Sequence, residues 1–461
     1  MMDSTMMTTL TENVARYIVQ RQLADWTDDA RDKVCIHIYD TLLAMLSGRH
    51  LIAGQKALSY QKAFCSSGTA RIVGTDLFAS PEIAAMVNGM FAHADETDDT
   101  SETARMHPGA SIIPAVLALA DHLGSNGADI VNAVLIGYQV GIAFPKAIWA
   151  EDAARMHSAR ATHNAGQVMG SVAACSAILK LDTRATAYAL SYAAQLCSGV
   201  NSLYRERSHV EKAYVFGGMP AEQGVRAALM ASLGFTGVPD VLDRNINFFD
   251  SFEGLSTPER LMELIESPKG GVFEADIKLY PVGLPIQAAA QAMDEILSTG
   301  IRANEVQTVR CHLPSQKAYI VDDRDMPPIS LQFVLATMLE DGELTFANSH
   351  DQERLDRNRG GELMRKVTLV HDDDMNPVER SGSRNKAHLY LTTNDGRSLT
   401  AKVEQLKGTR FSPATWTDME RKAAMIFGSD SVKLGGLAQQ VRDLAELGLV
   451  ATLRTAGLLP G

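Results

Sequence analysis

Between residues 88 and 107 the chain reads NGMFAHADETDDTSETARMH, which sets the carboxylates Asp95, Glu96, Asp98, Asp99 and Glu102 beside His93 and His107. Carboxylates next to imidazoles can hold a metal, orient a histidine for proton transfer, or face water in a loop. Metal chemistry is poorly supported, because His-x-x-Glu and Asp-Asp spacings arise by chance and no second histidine stands four residues from the first. The following residues, PGASIIPAVLALAD, open a helix at Pro108, Gly109 and Ser111. A helix start offers N–H groups and a positive dipole end to a carboxylate. His107, immediately before that start, is therefore the better proton-transfer candidate, although a histidine that only caps the helix fits equally well.

A second cluster lies in RERSHVEKAYVFGGMPAEQG, residues 205–224. Lys212 precedes what reads as an apolar, glycine-rich loop, where a lysine can bind a carboxylate or, once desolvated, act as a base. A surface lysine is the plainer alternative. No Walker-type lysine follows Gly217 and Gly218, so the pair does not form a phosphate loop. His163, in ARATHNAGQVMG, stands at another helix start, and Tyr319, in LPSQKAYIVDD, follows an expected strand. Taken singly, each is more often a structural residue.

The elements that must position these groups fall into two textures. From residue 9 to about 265, segments such as DDARDKVCIHIYDTLLAMLSG and DIVNAVLIGYQVGIAF repeat apolar residues at spacings of three and four, with capping residues at several starts. HNAGQVMGSVAACSAILKLD is almost wholly small or apolar, as suits a central helix approached closely on several sides. After about 270, NEVQTVRCHLP, RKVTLVHD, KAHLYLTT and RSLTAKVE read as strands, the last two joined by a hairpin turn at Asn394-Asp395-Gly396. Helical patterning resumes in TWTDMERKAAMIFG and LAQQVRDLAELG. The expected organisation is a mainly α protein with a helical domain over 1–270, an α+β domain over 271–405, and helices in 406–461 that return to the first domain.

Composition narrows the function classes. The 461 residues are 46% hydrophobic and only 6% aromatic, which predicts cores of aliphatic and small side chains. A net charge of −12 and the lack of a basic tail weigh against nucleic-acid binding. Five widely spaced cysteines, with no C-x-x-C pair, fit a reducing compartment and speak against an iron–sulfur cluster. The N-terminal residues show no apolar core after a basic start, and no apolar run reads as long enough to span a bilayer, so the expectation is a cytoplasmic protein with no membrane partner.

Taken in order, these stretches resemble the MmgE/PrpD family. The likeness rests on NG-x-x-x-HA before an acidic D-D-T, then HPG and its apolar helix, GYQVG, His163 before the small-residue helix, Lys212 with GGMPAEQGVRAALMASLGFTG, IKLYPVG, and PPISLQFVLATML. The resemblance implies a large all-helical domain formed by both chain ends, an inserted smaller α+β lid, a homodimer with its active site between the two domains, and no cofactor or metal. By the same resemblance, His107, His163, Lys212, Tyr319 and Glu96 are catalytic, and Thr100, Lys278, Asp98 and Asp99 bind substrate. Three departures stand out. Glu occupies position 96 where decarboxylase-type members have Asp, one extra residue precedes His107, and Phe216 stands near where many members have K-x-x-H.

The implied chemistry removes a proton or CO2 from a carbon next to a carboxylate of a small di- or tricarboxylic acid. It needs cations or N–H groups for the developing charge, and an acid and a base on the leaving groups. The simplest expectation is 2-methylcitrate dehydratase-like hydration and dehydration. A cis-aconitate-type decarboxylase, an iminodisuccinate-type epimerase and an inactive carboxylate-binding dimer are the alternatives.

Overall fold

The computed structural model describes residues 8–149, 159–160, 162–206, 208–252, 256–377 and 382–446. The chain is mainly α-helical, with one two-stranded and one four-stranded sheet among the described residues. It divides into two compact units. The first comprises residues 1–94, 98–276 and 433–461; the second comprises 95–97 and 277–432.

The first unit is built from helices α1 (Leu10–Gln20), α2 (Asp28–Gly48), α3 (Ile52–Phe64), α4 (Pro81–Ala92), α5 (Pro108–Leu123), α6 (Gly127–Ile148), α7 (Thr162–Ile178), α8 (Thr183–Leu196) and α9 (Met219–Ser232). Their starts follow from local chemistry. The side chains of Thr9, Thr27, Asn126 and Asp182 each accept a hydrogen bond from a backbone N–H three residues on, satisfying one otherwise unpaired donor per helix. Gly124, in the left-handed region, ends α5.

Burial is unusually complete in the middle of this unit. Most of α2 is inside, including His37, Asp40 and Thr41. Helix α6 is 22 residues long and, contrary to the sequence expectation, apolar enough by length and composition to cross a membrane. Its apolar residues lie instead in the protein core, where α6 runs closely along α7, as the small residues of α7 predict. The helix Gly435–Arg442 packs on α2.

The second unit holds the four-stranded sheet. Strands β3 (Val306–Pro314), β4 (Val367–Asp372), β5 (Ala387–Thr393) and β6 (Ser398–Val403) lie in the order β4-β3-β5-β6, with β4 parallel to β3 and the other pairs antiparallel; β1 (Ala70–Arg71) and β2 (Phe78–Ala79) form the small ribbon of the first unit. The β5–β6 hairpin turns at Gly396, whose φ of +86° belongs to glycine. Helices α10 (Gln287–Leu297) and α12 (Leu331–Asp341) cover the sheet, and α11 (Ser315–Val321) follows β3. The polar stretch after residue 347 contains a further short helix, Gln352–Asn358. Helix α13 (Trp416–Phe427), expected to return to the first domain, groups with the second unit, and the change from one unit to the next falls after residue 276 and again after 432. Residues 1–7 and 447–461, part of the expected first domain, lie outside the described residues.

Candidate active site

In the first unit, three helix ends and one irregular segment bring the chemistry together. His93 caps the C-terminus of α4, His107 precedes Pro108 at the start of α5, and His163 sits in the first turn of α7. The irregular segment runs from His209 through the short helix Val210–Ala213 into a π-helical stretch, Tyr214–Gly218, that continues directly as α9. The Gly-Gly expected as a loop is thus helical. The reason is packing: the backbones of Gly217 and Gly89 on α4 approach so closely that a Cβ added at Gly89 would lie 2.5 Å from the Gly217 carbonyl oxygen. A π-helical insertion changes which side chains share a face, and such insertions are concentrated at functional sites.

The rings gather around Phe216. It stacks on His163 at 4.1 Å between centroids, lies nearly parallel to His107 at 5.9 Å, and is tilted against His93 at 5.4 Å. The half-buried Lys212 holds its ammonium 5.9 Å above the Phe216 ring, a cation–π placement. Gln167, on α7, donates its amide to the carbonyl oxygens of both His107 and Phe216, the former at 2.8 Å. That side chain ties the start of α5 to the π-helical stretch.

Asp98 and Asp99 lie inside, as does the whole run from Asp95 to Ser101, so the solvated-loop alternative is excluded. Asp98 Oδ2 lies 2.9 Å from His93 Nδ1 and 3.1 Å from His107 Nδ1. His107 Nδ1 also stands 3.1 Å from the Asp99 carbonyl oxygen. Both neighbours accept, so Nδ1 carries the proton and Nε2 is the basic nitrogen of the neutral ring. His209 Nε2 donates to the His93 carbonyl at 2.9 Å.

Asp99 faces the other way. Its Oδ2 lies 2.6 Å from both His37 Nδ1 and Tyr138 Oη, and its Oδ1 accepts from the Gly109 N–H at 2.7 Å. A donor of the α5 start, expected to serve a substrate carboxylate, is therefore taken by the protein's own Asp99. The Thr100 hydroxyl donates to the Met106 carbonyl, and the Thr100 backbone pairs with Asp276. Burial, followed by the charges of His107, Lys212, His93 and Arg105, pushes His163 well below the ordinary histidine range. Its neutral form is the stable one at neutral pH.

His93, Asp98 and His107 are close enough together to hold a metal ion. Of the two Nδ1 atoms, that of His93 is hydrogen-bonded to Asp98 and that of His107 to the Asp99 carbonyl.

The remaining sequence candidates belong to the second unit. Residues 95–97 group there, gripped by its side chains: Lys422 Nζ donates to the Thr97 carbonyl at 2.7 Å, His350 Nε2 donates to the Asp95 carbonyl at 2.9 Å, and Lys278 Nζ stands 3.8 Å from Glu96. Glu96 itself has φ of +61°, a left-handed conformation rare for a long side chain. Tyr319, on α11, is 56% exposed. His37, Tyr138, Gln167, His350 and Lys422 escaped the sequence reading. His37 and Tyr138 sit within strongly apolar helical stretches, and only a buried polar side chain in such a stretch could have drawn notice.

Comparison with known proteins places the chain in a family. Residues 12–261 match the MmgE/PrpD N-terminal domain, and residues 280–429 match the MmgE/PrpD C-terminal domain. The chain is 25% identical to human cis-aconitate decarboxylase over 480 aligned positions, covering 97% of this chain and 95% of that protein. Against cis-aconitate decarboxylase of Aspergillus terreus (strain NIH 2624 / FGSC A1156) it is 25% identical over 88% of this chain and 87% of the relative, and against that of Mus musculus 25% identical over 97% and 94%. With both family domains matched along nearly the whole chain, this protein belongs to the MmgE/PrpD family and is an enzyme of its lyase type.

Proposed function

We propose that the protein is a cofactor-independent carboxy-lyase acting on a small unsaturated tricarboxylate of the cis-aconitate kind. The observation that carries this reading is the convergence of His93, His107, His163 and Lys212 on Phe216, with the Asp99 carbonyl and the neighbouring Asp98 carboxylate fixing the proton on His107 Nδ1. Loss of CO2 from such an acid leaves an electron pair that spreads into the adjoining unsaturated system, and a proton must then be delivered to carbon. A histidine held in one tautomer and presenting Nε2 can carry that proton, and a half-buried ammonium can stabilise the carboxylate or the developing charge. His107 is the proton carrier in this scheme. His163, kept neutral, accepts or relays a proton, and Lys212 holds negative charge.

Decarboxylation is placed ahead of the hydration and dehydration expected from the sequence because the relatives that align along most of the chain bear the decarboxylase name. Dehydration of a 2-methylcitrate-like acid is the second reading. The same acid–base set serves it, and the Glu at position 96 is a departure from the decarboxylase type. The lid role of the second unit, a homodimeric assembly, independence from metal and a cytoplasmic location belong to the proposal as well.

The test is proton NMR of the purified protein with cis-aconitate and, separately, 2-methylcitrate in D2O, with CO2 measured in parallel. Release of one CO2 per deuterium entering the product from cis-aconitate is expected. Deuterium exchange or water loss without CO2 would move the assignment to a dehydratase. Inertness toward both acids would overturn this reading.

A further inference from the structure

Beneath the histidines lies a second polar cluster to which the proposed reaction assigns nothing. His37, Asp99 and Tyr138 are each completely buried. The Asp99 carboxylate receives three hydrogen bonds: from His37 Nδ1 and Tyr138 Oη at 2.6 Å each, and from the Gly109 N–H at 2.7 Å. Position 109 has no room for a side chain. A Cβ there would stand 2.6 Å from Thr41 Oγ1, 2.7 Å from Asp99 Oδ1 and 2.9 Å from Tyr138 Oη. Burial, and after it the charge of Asp99, raises Tyr138 well above the ordinary tyrosine range, so its hydroxyl remains a donor.

Asp98 and Asp99 are consecutive, and the dipeptide faces two ways. The Asp99 side chain is fixed by α2, α5 and α6, through His37, Gly109 and Tyr138. Its main-chain carbonyl and the Asp98 carboxylate both meet His107 Nδ1, at 3.1 Å each. On the far side, Thr100 is pinned by paired backbone hydrogen bonds to Asp276 at 3.0 and 2.7 Å. The two acceptors that define the His107 tautomer thus lie on a stretch of backbone whose position is set by Asp99.

We propose that His37 and Tyr138 are positioning residues for His107, acting through Asp99. They contact no reacting atom. Their effect is to hold the Asp98-Asp99 backbone where it can orient the imidazole, and a displacement of about 1 Å in such an arrangement costs on the order of 100-fold in rate. The assignment rests on His107 being a proton carrier, and its test is chosen to stand apart from that reading.

Tyr138→Phe removes one donor at nearly constant volume, and His37→Leu removes another. His37→Asn restores an N–H near the Nδ1 position. Tyr138→Phe is expected to lower kcat about 10- to 100-fold with KM nearly unchanged, and His37→Asn is expected to recover most of the activity lost in His37→Leu. The second measurement needs no substrate. In 15N-histidine NMR, wild-type His107 should show a single Nδ1–H tautomer, and Tyr138→Phe should show a mixture. If wild type turns over no acid, the reaction assignment fails while the tautomer measurement still decides the positioning role. If His37→Leu does not fold, the isosteric Tyr138→Phe carries the test alone. A Tyr138→Phe protein with an unchanged His107 tautomer, or with kcat within twofold of wild type, overturns the proposal.

Discussion

The ammonium of Lys278 stands 3.8 Å from the carboxylate of Glu96, and both side chains are almost entirely withdrawn from solvent. Removing one charge of a buried pair leaves the other in a medium of low polarity. Glu96→Asn isolates this effect, since Asn tolerates the left-handed backbone at this position. The variant is expected to lose on the order of 2 kcal/mol in urea unfolding, whereas Glu96→Asp, which keeps the charge, should lose less. Equal stability of Glu96→Asn and wild type would show that the pair contributes nothing to folding.

The lowered proton affinity of His163 gives stability a direction with pH. Below its ordinary value of 6.5 the unfolded chain takes up a proton that the folded protein resists, because burial and the charges around His163 disfavour the imidazolium. This contribution is complete above about pH 6.5 and is lost as the pH falls toward the lowered folded value. His163→Gln cannot take up that proton in either state. The drop in urea midpoint between pH 7.5 and pH 5.5 should therefore be smaller in His163→Gln than in wild type; identical drops would contradict it.

The contact between α4 and the π-helical stretch predicts intolerance at two glycines. A methyl group at Gly217 would meet the Gly89 carbonyl, and one at Gly89 the Gly217 carbonyl. Backbone cannot move aside as a side chain can, so Gly217→Ala or Gly89→Ala should cost about 3 kcal/mol. Thermal unfolding reads this directly. Gly234→Ala serves as a comparison, since its Cβ would enter open space and only its φ of +83° resists substitution.

Turnover should survive prolonged dialysis against EDTA and aerobic handling. His93 Nδ1 is hydrogen-bonded to Asp98 and His107 Nδ1 to the Asp99 carbonyl, and a metal held by His93, Asp98 and His107 would have to disturb these bonds. Activity lost on chelation and restored by a single divalent metal would refute this expectation.

Much of the fold is legible in the sequence because local signals and burial agree. The period-two runs and Asn394-Asp395-Gly396 mark strands that pair in register, with Leu391 opposite Leu399. Thr27 and Asn126 mark helix starts by side chains that cap them. The site is only half legible. His107 and His163 stand at helix starts, where sequence reasoning looks for them. His37 and Tyr138 lie inside helices, and nothing in their neighbours reveals that both point at Asp99. The π-helical turn is hidden as well, because one additional residue in a helix leaves no compositional trace, and Gly217-Gly218 looks like a loop until Gly89 is set against it. The acidic run is misleading for a related reason: five carboxylates suggest water, and the partners that keep Asp98 and Asp99 inside are histidines, a tyrosine and a backbone amide.

The three residues Asp95–Thr97 have a consequence for how this chain can be cut. A clone spanning 277–432 looks like a self-sufficient cassette, with a four-stranded sheet and its own helices. It would nevertheless omit the carbonyl that Lys422 binds and the carboxylate beside Lys278, exposing two interior ammonium groups to a vacated slot. The cassette is therefore not transplantable by its contiguous sequence. A shorter version of this enzyme, or a chimera with a relative, must carry the tripeptide along, and so must keep the two stretches of chain that lead into and out of it.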